Sequence, residues 1–313
     1  MNTVTAPLFT PASDWSGRDD GPGPEHARWH SVVDTQAAPR EGAVHLIGFA
    51  SDEGVERNGG RQGAAQGPAA LRAALGSLAI HDEQLRIDAG TVTTQHDDLE
   101  GAQRELSDRV RDLVAAQGAS GMTVVLGGGH ETSFASHRGA YEALGPLQVI
   151  NFDAHFDLRA ADRPTSGTPF KQIAELEGEH FDYSVFGISK PNNTKVLFDT
   201  AAELGVTTVL DTELAEMTVR EAAERALAAV DGDLPIHLSI DLDVLPAAVA
   251  PGVSAPAGFG VAYAALRAMV EAVASTGRVA LLDVVELNPD FDVDNRTAKA
   301  AARLIDDAVA GAR

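Results

Sequence analysis

Leu147-Gln-Val-Ile-Asn-Phe-Asp-Ala-His-Phe-Asp157 opens as an apolar run of strand length and closes with metal-ligating side chains at alternate positions. Side chains along a strand alternate faces with a period of two, so Asp153, His155 and Asp157 are expected to project together. Ser239-Ile-Asp241-Leu-Asp243 repeats the pattern after a second apolar run and brings Asp241 and Asp243 to one side. A third run, Met122-Thr-Val-Val-Leu-Gly-Gly-Gly-His130, breaks into glycines that allow a sharp turn and ends on a sixth candidate ligand, His130. A lone Asp-x-Asp or a lone histidine more often belongs to a turn. Three such segments at strand ends of one chain point to a site.

The donor set indicates its chemistry. Two neutral imidazoles and four carboxylates are too many for one small cation. Each close carboxylate pair would repel by roughly 4 kcal/mol at an effective dielectric near 20 unless cations neutralise it. Two divalent ions are therefore expected per chain. Oxygen-rich ligation with imidazole and no thiolate favours manganese over magnesium, iron, nickel or zinc. Such a pair, about 3.5 to 4 Å apart, characteristically activates a shared water as a nucleophile.

Outward from these segments, short apolar runs alternate with amphipathic ones. Strands are predicted at 44–49, 85–89, 123–126, 147–152, 183–186, 206–210, 236–240 and 279–284. Helices are predicted at 68–77, 99–116, 132–144, 219–230, 261–274 and 295–310, with Pro68 in a first turn and Thr218 as a cap. Strands followed by helices give a three-layer α/β/α fold with a mainly parallel, about eight-stranded central sheet. Sites in such sheets lie at the carboxyl ends of strands, where all three ligand segments fall. Residues 1–313 read as one domain, with 1–40, rich in Pro, Gly and Asp, as an N-terminal arm or irregular lead-in. Gly127-Gly-Gly-His130 lacks both the Lys-Ser/Thr ending of a phosphate loop and the spacing of a dinucleotide fingerprint.

Composition narrows the partners. A formal charge of −22 argues against nucleic acid or an anionic membrane as partner. The absence of cysteine excludes disulfides and thiol catalysis, and without a signal or an apolar span the cytoplasm is the default compartment.

Gly127-Gly-Gly-His130-Glu131, Asp153-Ala-His155-Phe-Asp157, Ser239-Ile-Asp241-Leu-Asp243-Val and Glu286-Leu-Asn-Pro289 resemble, in order and spacing, the signature segments of the ureohydrolases, the family of arginase, agmatinase and formimidoylglutamase. The resemblance implies the arginase-like fold and two Mn2+ per chain. It implies that His130, Asp153, Asp157 and Asp241 hold one ion and Asp153, His155, Asp241 and Asp243 the other, with Asp153 and Asp241 bridging. It also makes Glu286 the carboxylate that holds the amidine or guanidine nitrogens, and it implies a homo-oligomer, a trimer or hexamer. Where arginases carry a proton-shuttling histidine this chain has Phe170, and where they carry an asparagine that contacts the amino-acid end of the substrate it has Arg159. Asp14-Trp-Ser-Gly-Arg-Asp-Asp20, Ala27-Arg-Trp-His30 and Gly54-Val-Glu-Arg-Asn-Gly-Gly-Arg-Gln-Gly63 are similar to formimidoylglutamases in particular.

That branch implies a small anionic amidine substrate, N-formimidoyl-L-glutamate, cleaved to L-glutamate and formamide in histidine degradation. Arg159 is the candidate cation for its carboxylate, Asn193 a candidate substrate contact, and Asp157 the candidate proton carrier to the leaving amine. Thr194 is expected to cap a helix, and His137 and His237 are read as structural. A guanidine-type ureohydrolase and a non-catalytic metal-binding protein on the same fold are the alternatives.

Overall fold

Runs of Val, Ile and Leu too short for a buried helix become strands. In the computed structural model, which describes residues 7–312, there are ten of them. In chain order they are β1 (Phe9–Thr10), β2 (Val33–Asp34), β3 (Val44–Ala50), β4 (Arg86–Thr93), β5 (Met122–Leu126), β6 (Gln148–Phe152), β7 (Asp182–Ile188), β8 (Thr207–Leu210), β9 (Ile236–Asp241) and β10 (Val279–Val285). They form one sheet in the order β1-β4-β3-β5-β10-β9-β6-β7-β8, with β2 also on β4. Every pairing is parallel except β1 with β4.

Because both faces are covered, alternate residues of one strand enter different cores. In β5, Met122, Val124 and Leu126 join one cluster and Val125 the other. Helices Gly67–Gly76, Val219–Leu227, Tyr263–Ala274 and Arg296–Gly311 pack on the first face through residues such as Leu71, Ala222, Leu266 and Ala302. Leu99–Gln117, Thr132–Leu144, Pro169–Glu177 and Lys195–Glu203 cover the second through Leu106, Ala135, Ile173 and Leu197. The result is the three-layer α/β/α architecture. Among the described residues no helix is long and apolar enough to cross a membrane.

The expected count of about eight strands is corrected to ten, because β1 and β2 are two-residue pairings with no period to read. Both lie in the predicted arm, which is built into the fold as far as it is described; its residues 1–6 fall outside the described residues. Trp15 stacks on Trp29 with ring centroids 6.3 Å apart. Trp15 Nε1 donates to Asp88 Oδ2 and Trp29 Nε1 to Asp306 Oδ1, both at 2.8 Å. Thr218 caps its helix by accepting from the Glu221 N–H, and Glu221 returns the bond to the Thr218 N–H. Thr194 occupies the expected cap position but makes no capping hydrogen bond.

Candidate active site

Four strands adjacent in the sheet, β5, β10, β9 and β6, end at one place. The residues that follow or close them are His130, Glu286, Asp241 with Asp243, and Asp153 with His155 and Asp157. The carboxyl-end rule thus brings all six expected ligands together. The pleat is not what does it. β6 stops at Phe152 and Asp157 has φ +48°, while Asp243 lies in a 3-10 turn, Leu242–Val244. The carboxylates make these turns themselves: Asp153 Oδ1 accepts the His155 N–H at 2.6 Å, and Asp241 Oδ1 accepts the Asp243 N–H at 2.8 Å. Asp157 and Glu286 (φ +67°) are left-handed non-glycine residues, a strained backbone that persists where its surroundings hold it in place.

His130 Nδ1 lies 2.9 Å from Asp157 Oδ2, 3.0 Å from Asp241 Oδ2 and 3.2 Å from Asp153 Oδ2. These contacts are close, yet the buried nitrogen has no hydrogen-bond partner of acceptable geometry. A nitrogen lone pair that converges with three carboxylate oxygens and bonds to none of them is the arrangement a cation requires, so the residues fit the metal implied. The four ligand atoms all lie within 4.8 Å of one another. A second group joins the first through Asp153: His155 Nδ1 stands 3.0 Å from Asp243 Oδ2 and 3.7 Å from Asp153 Oδ1. Asp153 turns Oδ2 toward the His130 ring and Oδ1, which also accepts the His155 N–H, toward the His155 ring. Asp241 presents Oδ2 to the His130 group while its Oδ1 is taken up by the Asp243 N–H. The cluster is suited to a binuclear metal centre.

The electrostatics agree. Burial, then repulsion from Asp153, pushes the Asp157 carboxyl up; burial, Asp243 and Asp153 push Asp241 well up. Burial and Glu131 raise Glu286 to about 8, and Asp243 above all holds His155 up to about 11. Burial opposes the charged form of His130, but its three carboxylates push it well above the usual histidine range. Burial is the largest cause at the three carboxyls, and the crowding of negative charge adds to it there and raises both histidines.

A cleft of about 210 Å³ opens above the cluster, lined among others by His155, Asp157, Arg159, Asn193, Asp243 and Glu286. Glu286 Oε1 accepts the backbone N–H of His130 at 2.9 Å. Arg159 is exposed, and its guanidinium pairs with no carboxylate among the described residues, Asp162 included. Its stem crosses Gly167, where a Cβ would come within 2.7 Å of Arg159 Cδ, and its N–H donates to the Gly167 carbonyl at 2.9 Å. Arg57 ties this loop to the fold by donating to the Pro164 carbonyl and to Glu100. Although burial works the other way, Arg57 and Arg163 hold Glu100 down to about 2.

Asn193 lines the cleft, but its amide is occupied. Nδ2 donates to the Ala154 and Ser189 carbonyls and Oδ1 accepts from the Phe156 N–H, which braces the loop that carries His155. Phe170 is fully buried, edge-on to the His130 ring at 5.2 Å and stacked on Tyr183, and it offers no proton. Ser239 and Asp283, neither assigned a role from sequence, stand directly behind His130. Ser239 Oγ is 3.1 Å from His130 Nε2 and donates to Asp283 Oδ1 at 2.5 Å. The cleft also gains Asn58, Ser166 and Ser254, none of which was given a role from sequence.

A family model described as the arginase family matches residues 42–311. The chain belongs to the arginase family. It is 51% identical to a formimidoylglutamase of Corynebacterium efficiens over 93% of this chain and 92% of that protein. It is 49% identical to one of Nocardia farcinica over 94% and 95%. The structure matches a Trypanosoma cruzi formiminoglutamase solved with Mn2+ at a TM-score of 0.76 and 28% identity, over 86% of this chain and 92% of that one. Arginase-family membership fits the site as built: a His/Asp cluster suited to two metals, at the carboxyl ends of a mainly parallel sheet, beneath a cleft with an unpaired arginine at its rim.

Proposed function

We propose that this chain is a formimidoylglutamase: it hydrolyses N-formimidoyl-L-glutamate to L-glutamate and formamide, using two Mn2+ held by His130, Asp153, Asp157, Asp241, His155 and Asp243. The observation that carries the substrate assignment is the unpaired Arg159 guanidinium on the cleft that holds Glu286 at its floor. A cation at one end and a buried carboxylate at the other complement a substrate that is anionic at its amino-acid end and cationic at its amidine end. The identities with curated formimidoylglutamases support the same reading.

Divalent ions bound at the cluster supply Lewis acidity and a water activated for attack on the trigonal amidine carbon. The protein does the rest by binding and orientation. Arg159 grips a substrate carboxylate in two parallel hydrogen bonds, while Gly167 leaves its stem room to lie flat. Glu286, anchored on one side by the His130 N–H, receives the amidinium nitrogens and holds their charge as the carbon becomes tetrahedral. One carbon–oxygen bond forms, one carbon–nitrogen bond breaks, and the leaving amine gains a proton. With phenylalanine at 170, Asp157 carries that proton through the oxygen turned away from His130. Asn193 keeps the His155 loop in place and has a single lone pair of Oδ1 left for the substrate. The enzyme acts as a homo-oligomer in the cytoplasm.

Arg159→Ala tests the assignment. The Michaelis constant for formimidoylglutamate should rise far more than turnover falls, and Arg159→Lys should recover only part of the loss. An unchanged Michaelis constant would remove Arg159 from the substrate site.

A further inference from the structure

Behind the candidate ligands, β9 and β10 carry polar side chains on a face that the Thr132–Leu144 helix covers completely. His237 and Ser239 alternate with Ile236, Leu238 and Ile240, and Asp283 stands beside Ser239 in register. Buried polar groups are costly unless every one is bonded. Here they form one continuous chain from His130 to the Pro169–Glu177 helix.

We infer that Ser239, Asp283, His237, His137 and Glu177 form a positioning relay that fixes the tautomer of His130, and that its two imidazoles share three ring protons and one positive charge. The inference rests on the metal reading of His130.

The proton count follows from the contacts. Asp283 receives Ser239 Oγ at 2.5 Å, Ser136 Oγ at 2.7 Å and His237 Nε2 at 2.7 Å, all without exposure to solvent. Burial pushes this carboxyl up, but His237 and Ser239 outweigh it and hold the group at about 2, so it is ionised and accepts. Ser239 gives its hydrogen to Asp283, which leaves a lone pair facing His130 Nε2 at 3.1 Å. His130 Nε2 must then carry the proton, and Nδ1 is left bare toward the carboxylates.

On the other side, His237 Nε2 must carry a proton for Asp283. His237 Nδ1 meets His137 Nδ1 at 3.1 Å, and that contact needs a proton as well. His137 Nε2 meets Glu177 Oε1 at 2.9 Å. The same oxygen already accepts the Leu147 N–H at 3.0 Å, so it is an acceptor and His137 Nε2 is protonated. Three contacts require three protons, and two neutral imidazoles supply only two. The third proton therefore puts one positive charge on the pair, held between the carboxylates of Asp283 and Glu177. A buried imidazolium between two carboxylates gives each of the four ring nitrogens a partner, while Glu177 Oε2 has none.

Manganese titration of metal-free protein, followed by electron paramagnetic resonance, tests the relay without any substrate. Asp283→Asn and Ser239→Ala should each weaken one of the two ions 10- to 100-fold and leave the other as in wild type. Ser239→Ala removes a single hydroxyl and guards against misfolding of the Asp283 variant. Nitrogen-15 spectra of the metal-free wild type should contain, besides the doubly protonated rings of His130 and His155, one further buried imidazole with both ring nitrogens protonated, and His237→Asn should remove it. Variants that bind both ions as wild type does, or that lose both in parallel with their thermal stability, overturn the relay; so does a wild-type spectrum in which His130 and His155 account for every doubly protonated imidazole. A wild type that binds fewer than two ions would instead defeat the metal reading beneath it.

Discussion

Glu286→Gln separates binding of the amidine from every structural role of this side chain. The glutamine carbonyl can still accept the His130 N–H that Glu286 Oε1 accepts at 2.9 Å, so the turn at φ +67° keeps its anchor. What is lost is the charge opposite the amidinium. A hydrogen bond to a charged partner contributes roughly 1.5–3 kcal/mol, and with Glu286 only 5% exposed the upper half applies, about 2–3 kcal/mol. At about 1.4 kcal/mol per decade, kcat/KM for formimidoylglutamate should fall about 30- to 150-fold. Stability should not fall with it. Burial and the neighbouring Glu131 push the Glu286 carboxyl up to about 8, so neutralising it relieves a repulsion, and the metal-free variant should melt no lower than wild type. Formamide release gives the rates and thermal unfolding gives the stability. A loss of activity below three-fold would refute the role, and a loss accompanied by a large drop in melting temperature would show that Glu286 acts through the fold.

The other predictions concern the metals, the substrate's charge and pH. Asp241→Ala should abolish activity and reduce bound manganese with little change in far-ultraviolet circular dichroism; a near-normal rate would remove Asp241 from the centre. Arg159→Ala should raise the Michaelis constant roughly 5- to 30-fold, since an exposed charge-assisted contact contributes about 1–2 kcal/mol after solvent screening. Metal-free protein should lose stability as pH rises from about 5 to about 8. Glu131, raised by burial from an ordinary 4.5 to about 7, and Glu286, at about 8, bind more protons folded than unfolded in that window. Manganese should cancel the decline, and a metal-free melting temperature that is flat or rises with pH would contradict it.

The candidate ligand cluster was legible because Asp153-Ala-His155-Phe-Asp157 and Asp241-Leu-Asp243 place donors close together at the ends of apolar runs. How they converge was not legible, because the clustered carboxylates build their own turns and a left-handed Asp157 leaves no mark on a period of two. The eight longer strands followed from their Val, Ile and Leu content. β4 was read too short because Arg86–Thr93 mixes polar residues and Gly90 into its second half. Asp283 stood alone in an apolar strand and drew no assignment. Its signal lay one strand away, where Ile236-His-Leu-Ser-Ile-Asp241 alternates polar with apolar although both faces of a central strand are buried. Arg159 was placed near the candidate cluster by spacing alone; that its stem lies against Gly167 is a tertiary fact.

Product analysis of the manganese-loaded enzyme tests the central claim most directly. Formimidoylglutamate, agmatine, arginine and guanidinobutyrate would be offered in parallel, with formamide, urea, ammonia and glutamate measured for each. The account predicts equal amounts of formamide and glutamate from formimidoylglutamate, no free ammonia, and negligible urea from the three guanidines. Agmatine carries a cation at the end that Arg159 faces and should be ignored. Faster urea release from agmatine than formamide release from formimidoylglutamate would contradict the account.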